Sequence, residues 1–185
     1  TVDEAKQVTL LDKAPWDAID AANHWVETDL TELLSGGSKS GVQTNGTIVS
    51  IRSDCGIIQR CPECRRVLRE GSCADHGAMQ GNKDLRLRMV LDDGASSASL
   101  LLNKEASEKY LGKDMEKVTD QIDNFGQETF VQELRSTLLG QRVTVRCRCL
   151  IDDQGAMLLC DEFEVDSTAP GERSQAVRAR WGVLS

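Results

Sequence analysis

Arg60-Cys61-Pro62-Glu63-Cys64-Arg65-Arg66-Val67-Leu68-Arg69-Glu70-Gly71-Ser72-Cys73-Ala74-Asp75-His76-Gly77 carries the pattern C-x2-C-x8-C-x2-H. Each half offers two ligand residues on one tight turn, and two such knuckles close a tetrahedral zinc site. Cys61, Cys64, Cys73 and His76 are therefore the candidate ligands of one structural Zn2+. Four protein donors leave no open position for water, which argues for a cross-link and against catalysis. A deaminase would also need an H-x-E motif ahead of the cysteine pair, and none precedes Cys61. No glycine-rich phosphate loop or Ser-His-Asp set is visible either, so the chain reads as no enzyme.

Working outward, strand patterns flank the loop. Gly46-Thr47-Ile48-Val49-Ser50-Ile51-Arg52 is β-branched and alternating. Behind the loop, Leu85, Leu87, Met89 and Leu91 alternate with Arg86, Arg88 and Val90, a half-buried strand with arginines outside. Asp92-Asp93-Gly94 turns the chain into a strand over Ser97 to Leu102. Helical spacing follows over Lys104–Leu111, Asp114–Asn124 and Gln127–Leu139, with Gly112 and Gly140 as stops. Val143, Val145, Cys147 and Cys149 alternate in the next strand, Asp152-Asp153-Gln154-Gly155 turns, and Met157 to Val165 is the last.

Strand, inserted loop, strand, strand, helices, strand, strand is the layout of an OB fold. The fold class is mainly β with a helical insertion (α+β): a five-stranded OB-fold barrel carrying a zinc ribbon and a helical segment between the third and fourth strands. The expected division is residues 1–42 as a short helical and linker segment, 43–166 as the OB domain, and 167–185 as an amphipathic tail. Within the domain, the ribbon takes about 55–83 and the helices about 104–139. In the first segment, Pro15 suits the start of a short helix bearing Trp16 and Ile19. Asp29 and Glu32 are spaced as a capping box, and residues 35–41 read as a turn or link. The tail carries Val177, Trp181, Val183 and Leu184.

The chain has 185 residues and a formal net charge of −8. Bulk charge alone discourages nucleic-acid binding. Its distribution does not: Arg52, Arg60, Arg65, Arg66, Arg69, Arg86, Arg88, Arg142, Arg146 and Arg148 gather on the barrel and ribbon. Acids crowd the helices and the N-terminal segment. Seven cysteines, three of them in the metal pattern, suit a reducing compartment. Cys147, Cys149 and Cys160 alternate within strands as small buried hydrophobes. No apolar run is long enough to span a membrane. With Thr1 first and no visible signal peptide, the chain reads as part of something longer.

These residues also resemble a known family, the zinc-containing OB fold of replication protein A, as found in archaeal single-stranded DNA-binding proteins. The resemblance rests on Gly46–Arg52, Cys61-Pro62-Glu63-Cys64, Cys73-Ala74-Asp75-His76-Gly77, Asp84-Leu85-Arg86, Leu91-Asp92-Asp93-Gly94, Gly140-Gln141-Arg142-Val143, Met157-Leu158-Leu159 and Phe163-Glu164-Val165. His76 departs from the eukaryotic branch, where four cysteines stand. The resemblance implies a role in DNA replication, repair and recombination, beside further OB folds or subunits. It implies a location in the cytoplasm with the nucleoid in an archaeon, or in the nucleus of a eukaryote.

An OB fold binds single strands across its sheet, through basic side chains on phosphates and aromatic faces on bases. The candidate contacts to single-stranded DNA are Arg52, Arg60, Arg65, Arg66, Arg69, Arg86, Arg88, Arg146 and Arg148. Arg146 and Arg148 are equally placed to form ion pairs with nearby acids. Aromatic residues are scarce on the barrel, so the expected affinity of an isolated domain is modest. The alternative reading is a zinc-stabilised OB fold that assembles subunits and barely touches DNA.

Overall fold

The computed structural model describes residues 24–152, 155–180 and 182. In chain order the elements are β1 (Val26–Glu27), α1 (Leu30–Ser35), β2 (Lys39–Ile51), β3 (Gly56–Arg60), β4 (Ser72–Cys73), β5 (Gly77–Ala78) and β6 (Asn82–Asp92). Then come β7 (Ser97–Leu102), α2 (Lys104–Leu111), α3 (Met115–Phe125), α4 (Gln127–Leu138), β8 (Arg142–Asp152), β9 (Gly155–Val165) and α5 (Pro170–Arg180). The Pro15 helix lies outside the described residues, as do positions 153–154 of the last hairpin turn.

Five strands close the barrel. The sheet runs β2-β8-β9-β7-β6, and β6 returns to pair with β2. β7 and β9 run parallel, and the other barrel neighbours antiparallel. This is the expected OB barrel, with its helices between β7 and β8. Period-two alternation explains it: Leu85, Leu87, Met89 and Leu91 are buried while Arg86, Arg88 and Val90 face outward. Cys147, Cys149 and Cys160 are core residues, and burial pushes the Cys147 thiol up to about 12. At Gly46 the strands come closest, where a Cβ would lie 2.8 Å from the Asp92 carbonyl oxygen and from Leu91 Cγ.

Two local expectations are corrected. The first barrel strand is longer than Gly46–Arg52: it begins at Lys39, because β8 offers partners from Cys149 to Arg142. Residues 39–41, read from sequence as part of a turn, are therefore strand. α1 is capped by Asp29, whose Oδ1 accepts the Glu32 amide at 2.7 Å, but the Glu32 carboxylate pairs with Lys39 at 2.9 Å. Leu30 and Leu33 of α1 are buried in the barrel core. The tail forms a helix from Pro170, a residue suited to a first helical turn, yet Val177 is 55% exposed. Its apolar companions Trp181, Val183 and Leu184 lie outside the described residues.

Candidate metal centre and nucleic-acid interface

β3 and the start of β6 form a two-stranded arm, paired from Gly56↔Arg86 to Arg60↔Asn82. The ribbon sits at its end. Its own core is small: Cys61, Leu68 and Cys73, with Cys64 and Met79 against them. That is too little apolar surface to order the loop without a cross-link. The two knuckles are built alike. Arg65 follows Cys64 at φ 61°, and Gly77 follows His76 at φ 75°. Arg65 donates its amide to the Cys61 carbonyl at 2.9 Å, closing the first turn. A non-glycine residue in this left-handed region costs about 1–2 kcal/mol, so other contacts must hold it there.

The four sequence-predicted ligands converge. One donor atom from each of Cys61, Cys64, Cys73 and His76 lies within 4.8 Å of the others, an arrangement able to hold one metal ion. Cys61 Sγ is 3.4 Å and Cys73 Sγ 3.6 Å from His76 Nδ1, and Cys64 Sγ is 3.5 Å from Cys73 Sγ. On the far side of the ring, Nε2 lies 3.3 Å from a Glu63 carboxylate oxygen. A proton shared there leaves Nδ1 free to ligate. Backbone amides, first that of Asp75, draw the Cys73 thiol down to about 6, which favours its thiolate. Thiolate is the form that binds metal.

Between ribbon and barrel runs a groove of about 1410 Å³. Arg60, Arg66, Arg69, Arg86 and Arg88 line it, so five of the nine predicted contact arginines meet there. Ile57, Ile58, Val67, Leu68, Leu101 and Met157 supply its apolar lining, and among the described residues no aromatic side chain lines it. Sequence reasoning missed Leu101 and Met157, which stand on strands that only barrel closure makes neighbours. Phe163, by contrast, is buried in a T-shaped contact with Tyr110, centroids 5.1 Å apart.

Strand register extends the groove. Arg88 pairs with Leu101, Leu101 with Leu159, and Leu159 with Arg148. These four side chains form one outward row across β6, β7, β9 and β8. At about 4.8 Å per strand the row spans roughly 14 Å. Arg148 thus closes the far end of the row. Arg146 does not join it: it donates to Gln43 at 2.9 Å and to Glu162 at 2.7 Å, and lies 5.8 Å from the centre of the Trp25 ring. Arg52 is exposed beside the groove, its amide 2.9 Å from the Arg88 carbonyl oxygen. Arg65 lines a smaller recess with Cys61, Pro62 and Lys83.

Most of these arginines already have acidic partners. Arg60 pairs with Asp84, and Arg66 with Asp75 at 2.5 Å. Arg86 and Arg88 share Asp54, and Arg148 reaches Asp161 at 3.3 Å. Among the described residues Arg69 makes no ion pair.

No protein-family model matches the chain, and no curated protein sequence does. Solved structures do. One is a replication protein A heterotrimer bound to ssDNA, at a TM-score of 0.57 and 11% identity, covering 87% of this chain and 41% of that one. Yeast RPA bound to ssDNA matches at 0.53 and 14% identity, over 86% of this chain and 98% of that one. The chain has an OB fold, similar to the folds of these two replication protein A structures. It spans less than half of the first of these chains and nearly all of the second.

Proposed function

We propose that this chain is a non-catalytic single-stranded DNA-binding domain, stabilised by one zinc ion and working in DNA replication, repair and recombination. The observation that carries this reading is the groove, where five arginines from the ribbon, the β3–β6 arm and the sheet face a shared apolar floor. Phosphates pair with the guanidiniums, and bases rest on Leu101 and Met157. Two solved structures whose fold it resembles are of proteins with ssDNA bound.

Zinc suits the donors present. Three thiols and an imidazole are soft to borderline ligands. A tetrahedral ion with Zn–S bonds of about 2.3 Å separates its sulfurs by about 3.8 Å and sulfur from nitrogen by slightly less. Three of the six donor separations, at 3.4–3.6 Å, fall near those edges, and all six lie within 4.8 Å. Bound there by Cys61, Cys64, Cys73 and His76, zinc would cross-link the two knuckles. The ribbon then presents Arg66 and Arg69 toward the barrel.

Aromatic stacking usually contributes about 1–3 kcal/mol per base, and among the described residues no aromatic ring lines this groove. The isolated domain therefore binds modestly, and tight binding comes from further OB folds or subunits held at high effective concentration. Such a protein works with the nucleoid in an archaeal cytoplasm, or in a eukaryotic nucleus. Fluorescence polarisation with oligo-dT at two salt concentrations tests the reading. Measurable affinity that falls with salt is expected; affinity indifferent to salt rejects the phosphate contacts.

One observation favours a second reading, an assembly module with little DNA contact. Phe125 stands 69% exposed at the corner between α3 and α4. Size-exclusion chromatography that shows stable oligomers, together with absent oligo-dT binding, selects that reading.

A further inference from the structure

Asp54 lies in the turn between β2 and β3, on the wall of the groove. One of its oxygens, Oδ2, accepts from Arg86 Nη2 at 2.5 Å and from Arg88 Nη1 at 2.8 Å. The two arginines are two residues apart on β6, so they share its outer face and repel each other. A single carboxylate oxygen holds them together. The arrangement is short of acceptors: two cations meet one anion, and among the described residues the buried Nε of Arg86 has no hydrogen-bond partner. The carboxylate is also the more accessible partner. Its side chain is 41% exposed, against 12% for Arg86 and 33% for Arg88.

We propose that Asp54 is a resident counter-anion that occupies the Arg86–Arg88 site until a phosphodiester of the ligand replaces it. This rests on the nucleic-acid reading of the groove and adds to it a residue that restrains binding. The exchange follows from the charges. With the groove free, Asp54 keeps the two guanidiniums aligned and partly neutralised. An incoming phosphodiester carries the same single charge on two exposed oxygens, one for each guanidinium. Asp54, on an exposed turn, can then turn toward water, where an unpaired carboxylate is inexpensive. Because one anion displaces another, this step contributes little net affinity. A lone phosphate ion therefore gains little, while a strand with several phosphates is held by Arg69 and Arg148 as well.

The test is oligo-dT binding by the full chain at low and high salt, wild type beside Asp54→Asn. Asn keeps an acceptor oxygen for the arginines and removes the competing charge. The expected result is affinity about ten-fold tighter at low salt, with a steeper salt dependence by close to one phosphate contact. Asp120→Asn, an equal charge change at an exposed position of α3, serves as the control and is expected to change affinity less than two-fold. Equal tightening in both variants means bulk charge and overturns the proposal. Weaker binding in Asp54→Asn means that Asp54 only positions the arginines, and also overturns it. A wild type that binds, with no gain in Asp54→Asn, overturns this proposal alone. No binding by either protein overturns the nucleic-acid reading and this proposal together. Should Asp54→Asn fail to fold, the wild type still decides: the Asp54 carboxyl carbon resonance is expected to shift on saturation with oligo-dT. A resonance that stays in place counts against displacement.

Discussion

Glu63 places a carboxylate oxygen 3.3 Å from His76 Nε2, on the side of the ring away from the three cysteines. Such a partner fixes the imidazole tautomer and raises its basicity as a ligand, and removing one typically costs about 10–100-fold in metal affinity. Glu63→Gln is therefore expected to weaken zinc binding by at least about ten-fold, measured by competition with a chromophoric chelator. Stripping the metal, or Cys73→Ser, goes further: residues 59–81 lose protection from hydrogen exchange, while β7, β8 and β9 keep theirs. Exchange in the ribbon that ignores chelators sinks the metal assignment.

The arginines separate into two groups by register, and the difference is measurable. Arg88 and Arg148 end one row across the sheet, whereas Arg146 stands with Gln43, Glu162 and Trp25. Arg69→Ala with Arg88→Ala is expected to weaken oligo-dT binding on the order of ten-fold and to flatten its salt dependence. Arg146→Ala is expected to leave both nearly unchanged. Equal losses from the two proteins would mean that the ligand does not follow this row.

How far the sequence could reach follows from which contacts are local. Leu85, Leu87, Met89 and Leu91 announce their strand because period two and burial coincide over neighbouring residues. The metal ligands are legible for the same reason: knuckle spacing is a local geometry. The start of β2 is not legible. Ser38-Lys39-Ser40-Gly41 reads as a turn, and only the ladder with β8 makes strand of it from Lys39 onward. Nor is the state of the arginines. Asp54 lies 32 and 34 positions from Arg86 and Arg88, and no local pattern announces a contact over that separation.

The close approach at Gly46 gives a stability prediction independent of function. A Cβ there would meet the Asp92 carbonyl oxygen, and backbone cannot move aside as a side chain can. Gly46→Val is expected to destabilise by about 1–3 kcal/mol. Urea unfolding measures it, and a variant as stable as wild type would show that β2 and β6 have slack at the closure.

The groove floor predicts a gain. Leu101 sits centrally in the Arg88–Leu159 row and is half-buried, with an outward side chain. Leu101→Tyr supplies a ring where bases are placed. At about 1–3 kcal/mol per stacked base, oligo-dT affinity is expected to rise about five-fold or more. A tyrosine there that leaves affinity unchanged while the fold is intact would put the bases elsewhere.

Asp93 ties the N-terminal helix to the barrel, and its ionisation makes that tie sensitive to acid. Its Oδ2 accepts the Leu30 amide at 2.8 Å, and its Oδ1 accepts the amides of Ala95 at 2.9 Å and Ser96 at 2.8 Å. Burial opposes ionisation, but the amides of Ser96, Ala95 and Leu30 outweigh it and hold the carboxyl below its ordinary value. A carboxyl depressed in the folded state stabilises above its unfolded pKa, and that contribution is lost as pH falls through the folded one. Asp93→Ala is expected to cost about 1–3 kcal/mol at neutral pH, since it strips three amides of their acceptor. Asp54, Asp114 and Asp166 are depressed as well, so the wild type and the variant both lose stability in acid. The gap between them is the discriminating quantity. It is expected to hold from neutral pH down to about 4 and to shrink below, as the Asp93 carboxyl takes up its proton. Thermal melts of both proteins across that range measure it. A gap that stays constant into strong acid would mean that Asp93 acts through packing and not through its charge.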